Sequence, residues 1–136
     1  MMTKLRTRIL VVDDNWVVRQ QLRKLLELHR DWEVCGEAVD GRDAIEKTRV
    51  LQPDLVLLDF AMPVMNGLQS AQEIARQFPD TPMLLFTMFL SNQLVDEARH
   101  SGIRGAVAKA DVVRDLVPGI EAVLRDETFF PSIAGH

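Results

Sequence analysis

The chain alternates two patterns: short unbroken apolar runs, and longer stretches in which apolar residues return every three or four positions. Short runs bounded by turn signals read as buried strands, and the helical spacing reads as amphipathic helices. Five strands are expected, at Ile9–Val12, Glu33–Ala38, Leu55–Leu58, Met83–Phe86 and Ala106–Ala108. Asn15 can cap a first helix whose Val18, Leu22, Leu25, Leu26 and His29 share a face. Asp40-Gly41 is a turn signal before a second helix marked by Ala44, Ile45, Thr48 and Leu51, which Pro53 stops. Leu68, Ala71, Ile74, Ala75 and Phe78 mark a third helix, ended by Pro79. A weaker fourth helix covers Ser91–Ser101, with Gly102 as its stop. Asp111 is placed to cap the last helix, with Val112, Leu116, Ile120, Val123 and Leu124 on one face.

A strand–helix unit repeated five times with short connections predicts an α/β fold, a parallel sheet with helices on both faces. Five strands fit the flavodoxin-like (βα)5 doubly wound order 2-1-3-4-5. Its switch point falls between strands one and three, and ligands bind beyond the carboxyl ends of strands at that point.

Composition narrows the classes. At 136 residues the chain is one domain by size, and 47% apolar residues suffice for a core. We place the domain at residues 1–128 and a tail or linker start at 129–136. The net charge is −4 with no basic stripe, so direct nucleic-acid binding by this segment is not expected. The single cysteine, Cys35, excludes an internal disulfide and a zinc cluster, and His29, His100 and His136 are dispersed. The apolar run near the N-terminus is short and ends in two acids, unlike a signal peptide. No stretch approaches the roughly 18 apolar residues of a membrane span. A soluble cytoplasmic protein is expected.

The candidate chemistry lies where the apolar runs end. ILVV is followed by Asp13-Asp14, LVLL by Asp59, MLLF by Thr87 and GAVA by Lys109. The fold would gather these groups at one sheet edge. Three carboxylates together repel one another, and a divalent cation relieves that repulsion. Mg²⁺ prefers oxygen ligands and keeps waters that a phosphate can replace. Lys109 and Thr87 would then meet an incoming phosphoryl group, and Asp59 suits a carboxylate nucleophile forming an acyl phosphate. Singly, each residue has a bland reading: Asp13 or Asp14 as a helix cap, Thr87 as a strand end, Lys109 as a surface lysine. The functional reading rests on their joint placement.

These strings resemble a receiver domain of two-component response regulators. ILVVDDN, LVLLDFAMPVMNGL, LLFTM and GAVAKAD carry the resemblance, over about residues 6–127. It implies Asp59 as phosphoacceptor, and Asp14 as a direct and Asp13 a water-mediated Mg²⁺ ligand. The backbone carbonyl of Ala61 would be a further ligand, and Thr87 and Lys109 would bind phosphoryl oxygens. It implies a sensor histidine kinase as donor, small acyl phosphates as substitutes, and a domain that assists its own phosphorylation and dephosphorylation without being a turnover enzyme. The segments GEAVDG, TMF and KAD and the tail resemble the class with a C-terminal helix-turn-helix output domain. Transcriptional control through a domain outside this segment is therefore expected. An excised receiver and a single-domain regulator both fit, with the first preferred. The face of the fourth helix, fifth strand and last helix is the candidate surface for a homodimer.

The sequence also departs from that family. An aromatic that rotates on switching normally stands three residues before the lysine, where this chain has Ala106. Phe89 is the nearest alternative aromatic in sequence after Thr87. Ala110 replaces a frequent proline after Lys109, where the family's bond is often cis, and Met88 replaces a small residue. Two other readings follow. One is a pseudo-receiver or stand-alone receiver acting as an interaction module. The other is a Mg²⁺-dependent aspartyl-phosphate phosphatase, which would want an acid two residues after Asp59, where Ala61 stands. Ala61 and Phe89 also imply slow loss of the acyl phosphate, the first offering water no hydrogen bond and the second shielding it.

Overall fold

In the computed structural model, residues 6–131 are described. Strand β1 (Thr7–Val12) leads to α1 (Trp16–Glu27), β2 (Trp32–Ala38), α2 (Gly41–Leu51) and β3 (Leu55–Asp59). Then come α3 (Gly67–Gln77), β4 (Met83–Thr87), α4 (Asn92–His100) and β5 (Gly105–Ala108). A 3₁₀ turn at Lys109–Asp111 feeds α5 (Val112–Leu124). The parallel strands lie in the order β2-β1-β3-β4-β5, as the sequence predicts.

Side-chain alternation along the strands builds two cores. Leu10, Val12, Val56, Leu58 and Leu85 face α2, α3 and α4, where they meet Ala44, Ile74 and Ala98. Ile9, Val11, Leu55, Leu57 and Leu84 face α1 and α5, where they meet Leu22, Leu26, Leu116 and Ile120. Strands buried on both faces lose the period of two, which explains their unbroken apolar sequence.

Local chemistry starts and stops the helices. The Asn15 side chain accepts from the Val17 and Val18 amides at the head of α1. Asp40 is more than a turn residue: its carboxylate caps α2 through the Asp43 amide. Asn66 and Gln69 form a reciprocal capping box on α3. Gly102 takes φ +87° after α4, a conformation in which a side chain is strained.

Two local expectations differ, and one open point is decided. His29 lies past the end of α1 rather than on its face, and its ring stacks on Trp32 at 3.8 Å. Asp111 stands at the head of α5 without a side-chain cap bond and pairs with Arg114 at 3.4 Å instead. The Lys109–Ala110 bond is trans, as are all peptide bonds among the described residues.

The residues after α5 fold back. The Phe129 amide donates to the Arg104 carbonyl at 3.0 Å, and the Ala106 amide donates to the Phe129 carbonyl at 2.8 Å. This single parallel bridge extends the β5 edge. Gly119 leaves room for the ring, since a Cβ there would stand 3.1 Å from it. Phe130 packs on the opposite face, in the core that holds Ala106, with the Arg99 guanidinium 4.1 Å above its ring.

Candidate phosphoacceptor site

The parallel register brings the strand ends level. Val12 pairs with Leu58, Asp59 with Phe86, and Thr87 with Ala108, one residue before Lys109. Asp13 and Asp14 follow β1 directly. The expected site residues on four strand ends are therefore gathered at one edge, at the switch point between β1 and β3.

Asp13, Asp14 and Asp59 each offer an oxygen, and these oxygens lie within 4.8 Å of one another. Asp13 and Asp59 are buried, at 1% and 2% exposure, while Asp14 is exposed. Asp13 is held from several sides. Its amide donates to the Ala38 carbonyl at 3.1 Å, and its Oδ1 accepts the Asn15 amide at 2.8 Å. Lys109 Nζ donates to its Oδ2 at 3.1 Å and stands 3.4 Å from Asp59 Oδ1. That second approach is an ion pair out of hydrogen-bonding geometry, and Asp59 Oδ1 has no hydrogen-bond donor. Lys109 Nζ also lies 4.9 Å above the Phe86 ring.

Burial, with the Asp13 charge beside it, pushes the Asp59 carboxyl up to about 6, against the pull of Lys109. The Ala61 backbone amide acts on the carboxyl in the same direction as Lys109. Gly67 closes the loop under Asp59: its amide donates to the Phe60 carbonyl at 2.8 Å, and a Cβ there would stand 2.4 Å from the Asp59 carbonyl oxygen. The Gly at this spacing is thus a steric requirement of the loop.

A buried oxygen without a donor, flanked by two further carboxylates, fits a hard divalent cation of the Mg²⁺ type. Thr87 is buried at 4% exposure beside Asp59 in the sheet. Phe89, two residues after Thr87, is 80% exposed. Ala61 is exposed and carries no proton-transfer group.

A family model described as the response regulator receiver domain matches residues 9–121. The chain belongs to that family. Receiver domains are the signal-accepting part of two-component response regulators, and phosphorylation with Mg²⁺ is their general mechanism. Over 117 residues this receiver domain is 35% identical to the transcriptional regulatory protein LnrK of Bacillus subtilis (strain 168), covering 86% of this chain and 52% of that protein. It is 32% identical over 123 residues to the response regulator protein VraR of Staphylococcus epidermidis (strain ATCC 35984 / RP62A), covering 90% of this chain and 59% of that protein. The chain thus spans between half and two thirds of the length of these relatives. A crystal structure of a LuxR-family two-component response regulator from Aurantimonas sp. SI85-9A1 superposes with a TM-score of 0.88 at 31% identity, covering 91% of this receiver domain and 89% of that chain.

Two residues that bear on the site escape sequence reading. Arg19 of α1 donates from Nη1 to the Asp13 carbonyl at 2.8 Å and from Nε to Glu37 Oε1, also at 2.8 Å. Glu37 of β2 collects Arg19, Gln20 and Arg23. An arginine inside an amphipathic stripe gives no signal in sequence that its partner is a backbone carbonyl.

Proposed function

We propose that Asp59 accepts a phosphoryl group and that this chain acts as the input switch of a transcription regulator. The observation that carries the reading is the buried Asp59 Oδ1, without a hydrogen-bond donor, among Asp13, Asp14 and Lys109. Asp13, Asp14, Asp59 and the Ala61 carbonyl would hold Mg²⁺. When bound, the cation supplies positive charge that offsets the carboxylates and the phosphoryl oxygens. An Asp59 carboxylate oxygen forms the new bond to phosphorus while the bond from phosphorus to the donor's imidazole nitrogen breaks. The imidazole leaves as the donor histidine of a sensor kinase. Lys109 moves from its carboxylate partners to a phosphoryl oxygen, and the Thr87 hydroxyl donates to another.

The chain takes up one phosphoryl group and is not a turnover enzyme, because Ala61 offers no acid to finish a phosphatase cycle. LnrK is named a transcriptional regulatory protein and VraR a response regulator. By that likeness the output is transcription, carried by a further domain, in the cytoplasm. Among the described residues no helix is long and apolar enough to cross a membrane. A homodimer through α4, β5 and α5 would use side chains of the helices and of residues 129–131, since Phe129 already occupies the β5 edge.

The reading is tested by intact mass after treatment with Mg²⁺ and a small acyl phosphate. One phosphoryl adduct on wild type, absent from Asp59→Asn and absent with a chelator, is expected. An adduct that persists in Asp59→Asn counts against it.

A further inference from the structure

The Asp14 carboxylate is exposed, and among the described residues no hydrogen bond holds it. Its position is therefore set by its backbone, above all by the Asp13–Asp14 peptide plane. The oxygen of that peptide is the Asp13 carbonyl, and the group that grips it is the Arg19 guanidinium at 2.8 Å. Arg19 is 8% exposed, unusual burial for an arginine.

Arg19 is itself anchored. Its Nε is fixed by Glu37 Oε1 at 2.8 Å, and Glu37 Oε2 is in turn fixed by Arg23 Nη2 at 2.9 Å. Burial works to raise the Glu37 carboxyl, yet its bonds to Arg19 and Arg23 outweigh it and hold the group below the usual carboxylate range. Lys47 Nζ donates to the Glu37 carbonyl at 2.7 Å. A charged network spanning α1, β2 and α2 thus ends on one carbonyl of the acid loop. A planar guanidinium serves two acceptors in fixed directions, which a lysine does not.

We infer that Arg19 is a positioning residue for the cation site, with Glu37 as its anchor. It touches neither cation nor phosphoryl group. It presets the Asp13–Asp14 peptide so that the Asp14 carboxylate is already in place when the cation arrives. Outer partners that orient metal ligands typically contribute about 10–100-fold in affinity. The inference rests on the Mg²⁺ reading of the acid cluster.

Trp16 provides the readout, since it is 63% exposed two residues after Asp14, while Trp32 is buried at 4% under His29. Mg²⁺ is titrated into the unphosphorylated protein by tryptophan emission, with the Asp14 amide followed by NMR. Arg19→Gln should weaken Mg²⁺ binding about 10-fold. Arg19→Lys should recover part of the loss, and Glu37→Gln should cause a smaller loss. The Arg19→Gln/Glu37→Gln pair, which leaves no unpaired charge between the two positions, should match Arg19→Gln alone because both act through one tether. Phosphorylation by a small acyl phosphate should slow at low Mg²⁺ and return to the wild-type rate at saturating Mg²⁺.

Folded variants that bind Mg²⁺ as wild type does, differing only in melting temperature, would overturn the inference alone. So would a lower rate at saturating Mg²⁺ with unchanged affinity. A wild-type protein blind to Mg²⁺ would overturn the metal reading and this inference with it.

Discussion

Asp59 is a carboxylate whose surroundings oppose its charge. Burial and Asp13 push it up to about 6, whereas in an unfolded chain aspartate titrates near 3.9. The sign follows from proton counts. Between these values the folded state keeps a proton that the unfolded state has lost, so stability falls as pH rises through the window. Below about pH 4 both states are protonated and the penalty is absent. Above the folded value it is complete, on the order of 2–3 kcal/mol. Asp59→Asn, in chelator, should therefore be more stable than wild type at pH 7.5 by that order, and the advantage should vanish near pH 4. Denaturant melts across this range check it, and equal stabilities at pH 7.5 would remove the electrostatic account. At this scale Asp13, Asp14, Asp59, Thr87 and Lys109 were legible because each ends an apolar run. Arg19 and Glu37 were not, because a bond from a side chain to a distant carbonyl leaves no period.

The elements show the same divide. Caps such as Asn15 and stops such as Gly102 are local chemistry, and the sequence exposes them. Pro118 lies inside α5 unannounced: α5 runs on past a residue that lacks an amide donor, because Leu116, Ile120 and Val123 are buried against the sheet around it. The fold-back at Phe129 is one bridged residue, too short for any alternation to reveal. Its ring sits in the space over Gly119 and packs with the α1–α5 core. Phe129→Ala should cost about 2 kcal/mol, less than a fully buried Phe because the residue is part-exposed. It should also speed hydrogen exchange at the Ala106 amide, which Phe129 bonds. Unchanged exchange there would mean the bridge is not formed in solution.

At the scale of the whole molecule, strand order was legible because two independent cues agreed: the repeated strand–helix pattern and the acids at the ends of β1 and β3. The way a signal leaves the site was not legible. Ala106 is fully buried and has no ring to move. The register of the Phe129 bridge places Phe130 beside Ala106, between β5 and the Arg99 of α4. With Mg²⁺ and beryllofluoride, a phosphoryl mimic, backbone NMR shifts should spread from Thr87 to Ala106, Arg99 and Phe129–Phe130. Phe130→Ala should erase the distant part and spare the acid site. Shifts confined to the acid loop would instead favour an interaction module that does not switch.

All of this depends on where the phosphoryl group goes. An acyl phosphate on aspartate is reduced by borohydride to homoserine, which marks the acceptor in the sequence. After treatment with Mg²⁺ and a small acyl phosphate, then borohydride and peptide sequencing by mass spectrometry, homoserine should appear at position 59 and nowhere else. Homoserine at Asp13 or Asp14, or none at any aspartate in a protein that binds Mg²⁺, would contradict the account.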